Sequence, residues 1–102
     1  MKTNKESIQE LEDKIIESAY VSQKTSSTYN LKKEKIYIVS IASVNSEGDI
    51  ASLNAWFIAT GRNTQNTGVV QRIVGNNYSC ELNNFNLTVS HNYNSLVAIT
   101  EM

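Results

Sequence analysis

The sequence predicts a mainly β fold. An N-terminal amphipathic helix, able to form a short coiled coil, leads into a small antiparallel β-sandwich or jelly-roll-like head. Three observations predict it. Charge divides near residue 35: residues 1–35 hold seven Lys and six acidic residues, whereas 36–102 hold only Arg62, Arg72, Glu47, Asp49, Glu81 and Glu101. Apolar residues recur at helical spacing before that divide and lie in β-branched or alternating runs after it. Turn signals then return every eight to twelve residues or so, the rhythm of a sandwich or small barrel.

The helix comes first. Thr3 and Glu6 form a capping box. Ile8, Leu11 and Ile15 follow at three- and four-residue spacing, with Ile16, Ala19 and Tyr20 on a neighbouring stripe. Glu10, Asp13, Lys14 and Glu17 occupy the polar face, and Glu10 to Lys14 is a favourable pair one turn apart. This spacing predicts a helix over about 4–20, within a segment 1–21. Ile8, Leu11 and Ile15 take heptad positions a, d and a, but Ser18 and Ser22 take the next two, so the seam fades. A helix this short is marginal alone. It must pack on its own β domain or on copies of itself, and Ile8, Leu11 and Ile15 are the candidate interface between chains.

Residues 22–35 are polar and rich in Ser and Thr, a linker or a first edge strand. The β head is expected over 36–102. Residues 36–44 are dense in β-branched side chains, and Asn45 to Asp49 form a turn in which Gly48 supplies positive φ. Residues 50–60 resume as a strand. Gly61 to Gly68 are a polar loop, 69–74 a strand, and 75–77 a turn. Residues 78–82 form a short strand before the tight turn Asn83-Asn84. Phe85, Leu87 and Val89 alternate with polar residues, the period of a half-buried strand. His91 to Asn94 turn the chain into the closing strand, Ser95 to Met102.

Two of these strands are apolar on both faces. Ile36 and Ile38 oppose Tyr37, Val39 and Ile41, and Leu53 and Phe57 oppose Trp56 and Ile58. An antiparallel strand with one wet face should be polar at every second residue. A head this small cannot hide both faces by itself, so the helix or a neighbouring subunit must cover one.

Composition narrows the function classes. The chain has 102 residues, 40% hydrophobic and 19% charged, with net charge −1, so no basic field draws nucleic acid or an anionic membrane. No apolar stretch is long enough to span a bilayer and no signal peptide opens the chain. The protein is expected to be soluble and made without an export signal of its own. There are 13 Asn and no Pro. Asn tolerates left-handed turns, and an AT-rich genome would also favour it.

No catalytic constellation emerges. His91, the only His, reads as a surface turn residue without an acidic neighbour. Cys80, the only Cys, has no metal-spaced partner and reads as a small buried thiol. Glu47 and Asp49 lack the ligand pattern of a calcium loop and suggest a turn held by Asp49. Trp56 reads as core. The loop after Gly61 is no phosphate loop. Were the head to bind a glycan, Arg62, Asn63 and Gln65 would offer hydrogen bonds and Tyr93 or Tyr78 a stacking face. Asn77 and Asn86 open glycosylation-type triplets, expected by chance among so many Asn. No enzyme activity, cofactor or metal is expected.

The stretch from Gly48-Asp49-Ile50-Ala51 through Trp56 to Gly61-Arg62, and the ending Leu87-Thr88-Val89, turn, Leu96-Val97-Ala98-Ile99-Thr100-Glu101-Met102, carry a resemblance. Together with a short coiled coil before a compact β head, they resemble the terminal knob modules of trimeric bacteriophage fibres. The resemblance covers about 36–102. The chain departs from that pattern at Ser90-His91, where a Gly commonly opens the last turn, and at Val97, where a Trp often precedes the Ala; both bear on threefold packing of the last hairpin. What the resemblance implies is a virion structural protein: a homo-oligomer, specifically a trimer, at a head or tail fibre tip, contacting other virion proteins and a host-surface glycan or receptor. The alternative is a non-viral carbohydrate-binding β-sandwich.

Overall fold

The computed structural model describes residues 14–62 and 68–102. Eight strands make up its elements: β1 (Ile15–Val21), β2 (Ser26–Asn30), β3 (Ile36–Val44), β4 (Ile50–Ala59), β5 (Val69–Val74), β6 (Ser79–Asn83), β7 (Asn86–Ser90) and β8 (Ser95–Glu101). They form two antiparallel sheets, a five-stranded one in the order β1-β8-β3-β4-β5 and a three-stranded one in the order β2-β7-β6.

The alternating strands explain the core. Tyr37, Val39 and Ile41 of β3, Trp56 and Ile58 of β4, and Ile99 of β8 turn inward from the large sheet. Leu87 and Val89 of β7 meet them from the small one, and Leu31 closes the cluster. Tyr37, the largest fully buried side chain, holds its hydroxyl at the rim and accepts the Lys32 amide at 2.8 Å. Burial, partly offset by that bond, holds its pKa above the ordinary tyrosine value.

The expected helix needs correction where it is described. Residues 15–21 are the edge strand β1, paired to β8 from Ile15↔Thr100 to Val21↔Ser95. Residues 1–13, with Ile8 and Leu11, lie outside the described residues. Ile15, Ile16, Tyr20 and Val21 are β-branched or aromatic and fit a pleated surface as well as a helix. A register shift between Ile15 and Glu17 breaks the two-residue alternation. Through it Ile16 packs on the core and Glu17 Oε2 accepts the Tyr29 hydroxyl of β2 at 3.1 Å. Irregular spacing of apolar residues at a bulge imitates helical spacing. The polar segment after it contains a strand, β2, at one edge of the small sheet.

The register gives the molecule two poles. The start of β1, the end of β8 and the start of β3 lie together, since Ile15 pairs with Thr100 and Tyr37 with Glu101. Thr60 and Lys35 join them there by a backbone bond of 2.9 Å. The turns at 45–49 and 91–94 lie at the opposite pole, bridged by the Val44 amide bonding Asn94 O at 2.9 Å. In the first of these turns Asn45, not Asp49, is the brace: its Oδ1 accepts the amides of Glu47 and Asp49, both at 3.0 Å.

Candidate functional site

The outer face of the five-stranded sheet is the feature without an internal partner. Cross-strand partners share a face, so the register fixes its rows. One row runs Thr100, Ile38, Phe57 and Gln71. The next runs Ser18, Ala98, Ser40 and Ala55. A third runs Tyr20, Leu96, Ala42 and Leu53. No charged residue stands in any of the three. Large side chains flank a trough of small ones, and the flanks are open: Leu53 is 53% and Tyr20 53% exposed. At the pole where the chain enters and leaves, Ile36, Phe57, Val69 and Met102 border an open apolar hollow of about 390 Å³. A solvated sheet face ordinarily carries polar residues.

Most inner polar groups are tied up by the fold, with Asn54 Nδ2 and Glu101 Oε1 left without a hydrogen-bond partner among the described residues. Arg72 lies inward on β5, its guanidinium 4.7 Å from the Trp56 ring centroid. It donates to Asn54 Oδ1 at 3.2 Å, Asn77 O at 3.1 Å and Tyr78 O at 2.8 Å. Asn54 Oδ1 also accepts the Asn77 amide at 3.0 Å. This network was not visible in the sequence, although Arg72 shares the parity of Val70, which is inward.

His91 is corrected from a surface turn residue to a buried one, 4% exposed. Its Nδ1 lies 2.9 Å from Asn92 O, which only accepts, so Nδ1 donates there, and Nε2 shares a hydrogen bond with Ser27 Oγ at 3.3 Å. A Ser–His pair results, with a backbone carbonyl where an orienting acid would stand. Both members are buried, and the bond ties β2 to the turn before β8. Burial pushes the half-buried Cys80 thiol up to about 12. Among the described residues no three His, Cys, Asp or Glu side chains gather as a metal site, and no helix is long and apolar enough to cross a membrane.

No protein-family model, curated protein or solved structure matches this chain significantly. The site therefore stands on its own geometry.

The residues expected to hold a ligand do not come together as one group. Arg62 is exposed and donates through Nε to Glu34 Oε1 at one pole. Tyr93 stands 58% exposed in the turn at the other. Asn63 and Gln65 lie outside the described residues. Of the candidate interface residues, Ile15 is placed on β1, where it pairs with Thr100 at the margin of the apolar face. Ile8 and Leu11 lie outside the described residues.

Proposed function

We propose that this chain is a homo-oligomeric structural module of a bacteriophage virion, the β head of a head or tail fibre tip, with a wrap of jelly-roll kind and no catalytic role. The observation that carries the reading is the uncharged apolar outer face of the five-stranded sheet. Burying such a face contributes about 25 cal/mol per Å² of apolar surface, which favours assembly. The two poles support a tip. A module anchored through the start of β1 or the end of β8 leaves the turns at 45–49 and 91–94 facing away. The threefold assembly, the virion location and the contacts with other virion proteins rest on the resemblance of the sequence to fibre knobs.

Sedimentation velocity at about 10 µM tests the oligomer. The expected species has three times the 11.4 kDa chain mass. A monomer overturns the reading. A second reading, a carbohydrate-binding module, is favoured by Tyr93, which stands open in its turn and offers a stacking face. Glycan-array binding by a monomer would select it. Binding by an oligomer would mark the tip as an attachment surface.

A further inference from the structure

We infer that the outer face of the five-stranded sheet is the surface on which copies of this chain pack together. The inference rests on the oligomeric reading above and names the surface and its occupant.

Area comes first. Five strands spaced about 4.8 Å apart and about eight residues long make a face of roughly 600 Å². The whole face, polar Thr100, Gln71, Ser18 and Ser40 included, has the size of the largest apolar patches on monomers, roughly 300–600 Å². It approaches the roughly 800 Å² that each partner contributes to a standard stable interface.

Charge comes next. A surface that meets its own copies meets its own charges, and like charges destabilise such a contact. The three central rows hold none, although Lys, Arg, Asp and Glu make up 19% of the chain. A face seated on an acidic or basic partner would carry the opposite sign. A membrane-surface face would ordinarily carry a basic rim.

Relief supports the same occupant. The trough of Ser18, Ala98, Ser40 and Ala55 lies between ridges built on Phe57 and Leu53. Packed sheets interdigitate their side chains, and in a ring of three the Leu53 or Phe57 ridge of one copy can seat beside the trough of the next.

The double variant Leu53→Lys with Phe57→Lys tests the assignment on the full chain. Both side chains point away from the core, so the fold should survive, with circular dichroism and Trp56 fluorescence as controls. The mass should fall to one chain at about 10 µM, with the dissociation constant raised at least a hundredfold. A folded variant that keeps its mass overturns the inference and leaves the oligomeric reading standing. A wild-type monomer overturns both. Cross-linking decides the case even if the double variant does not fold. With Cys80→Ser, Ala98→Cys treated with a short bismaleimide should link copies, and Glu81→Cys on the small sheet should not. An oligomer that fails to link through Ala98→Cys overturns the inference. A wild-type monomer whose apolar-dye binding rises on removal of residues 1–13 would give the face to that segment. A monomer that floats with phosphatidylcholine vesicles would give it to lipid. Both of these outcomes overturn it.

Discussion

Gly48 and Gly75 both hold positive φ, at 89° and 86°, but their surroundings differ. A methyl group on Gly48 meets nothing within 4 Å, whereas one on Gly75 meets the Asn54 amide and, at 2.6 Å, Leu53 O. Gly48→Ala should therefore cost only the backbone term, about 1–2 kcal/mol. Gly75→Ala should add an overpacking cost of about 1–3 kcal/mol, because Asn54 is held by Arg72 and Asn77 and cannot swing aside. Chemical denaturation of the two variants checks the difference; equal losses would show that the Asn54 network yields. Cys80 gives a residue-level pH dependence. Its folded pKa is raised to about 12 by burial, with the Arg72 charge opposing. The stabilisation is thus complete below the ordinary thiol value of 9.0 and is lost as pH rises towards 12. Stability should decline across that window. Cys80→Ser should flatten the decline, leaving the share due to Tyr29 and Tyr37, whose values burial also raises. An unchanged slope in Cys80→Ser would show that the thiol does not contribute.

At the scale of elements, β1 decides what the first residues do. It covers one side of β8 and sends Ile16 to the core and Glu17 to Tyr29. The reference is a chain beginning at Lys14, which keeps β1 whole. One beginning at Ser22 leaves β8 as a bare edge and should melt at least about 10 °C lower, equivalent to roughly 2 kcal/mol for a domain of this size. Equal melting of both would remove β1 from the stabilising core. Strands were legible where local signals were consistent. Residues 36–44 are dense in β-branched side chains, 50–60 is a long apolar run between Gly48 and Gly61, and the structure places β3 and β4 there. Phe85, Leu87 and Val89 keep strict alternation, and β7 follows. Residues 15–21 were misread because a bulge shifts the period. Neither the pairing of β1 with the last strand nor that of β2 with β7 leaves a trace in local spacing. Both are contacts between distant parts of the chain.

At the scale of the whole molecule, the apolar face was legible because two-sided strands announce themselves by composition. Ile36, Leu53 and Phe57 could be seen to oppose the core residues before any partner strand was known. The buried polar groups were not legible, because their roles depend on which turns close over them. His91 is enclosed only because β2 brings Ser27 across to it. Arg72 is inward only because Asn54, Asn77 and Tyr78 converge on it. The division of charge along the chain also takes on a different meaning. The charged first third supplies two strands to the fold as well as polar connections, and the charge-poor remainder supplies most of the core and most of the open face.

The pairing of the first strand with the last has a mechanical side. Ile15 and Thr100 lie opposite one another at the same end of the β1–β8 ladder. A load applied between the two ends of the described chain pulls these strands apart sideways, along their hydrogen bonds. The bonds then yield one after another, as in a zipper, and do not share the force as they would in shear. A module hung by one end escapes this load entirely. One strung into a tensioned filament through both ends would peel open from β1, and its resistance to force would have to come from whatever neighbour clamps that strand.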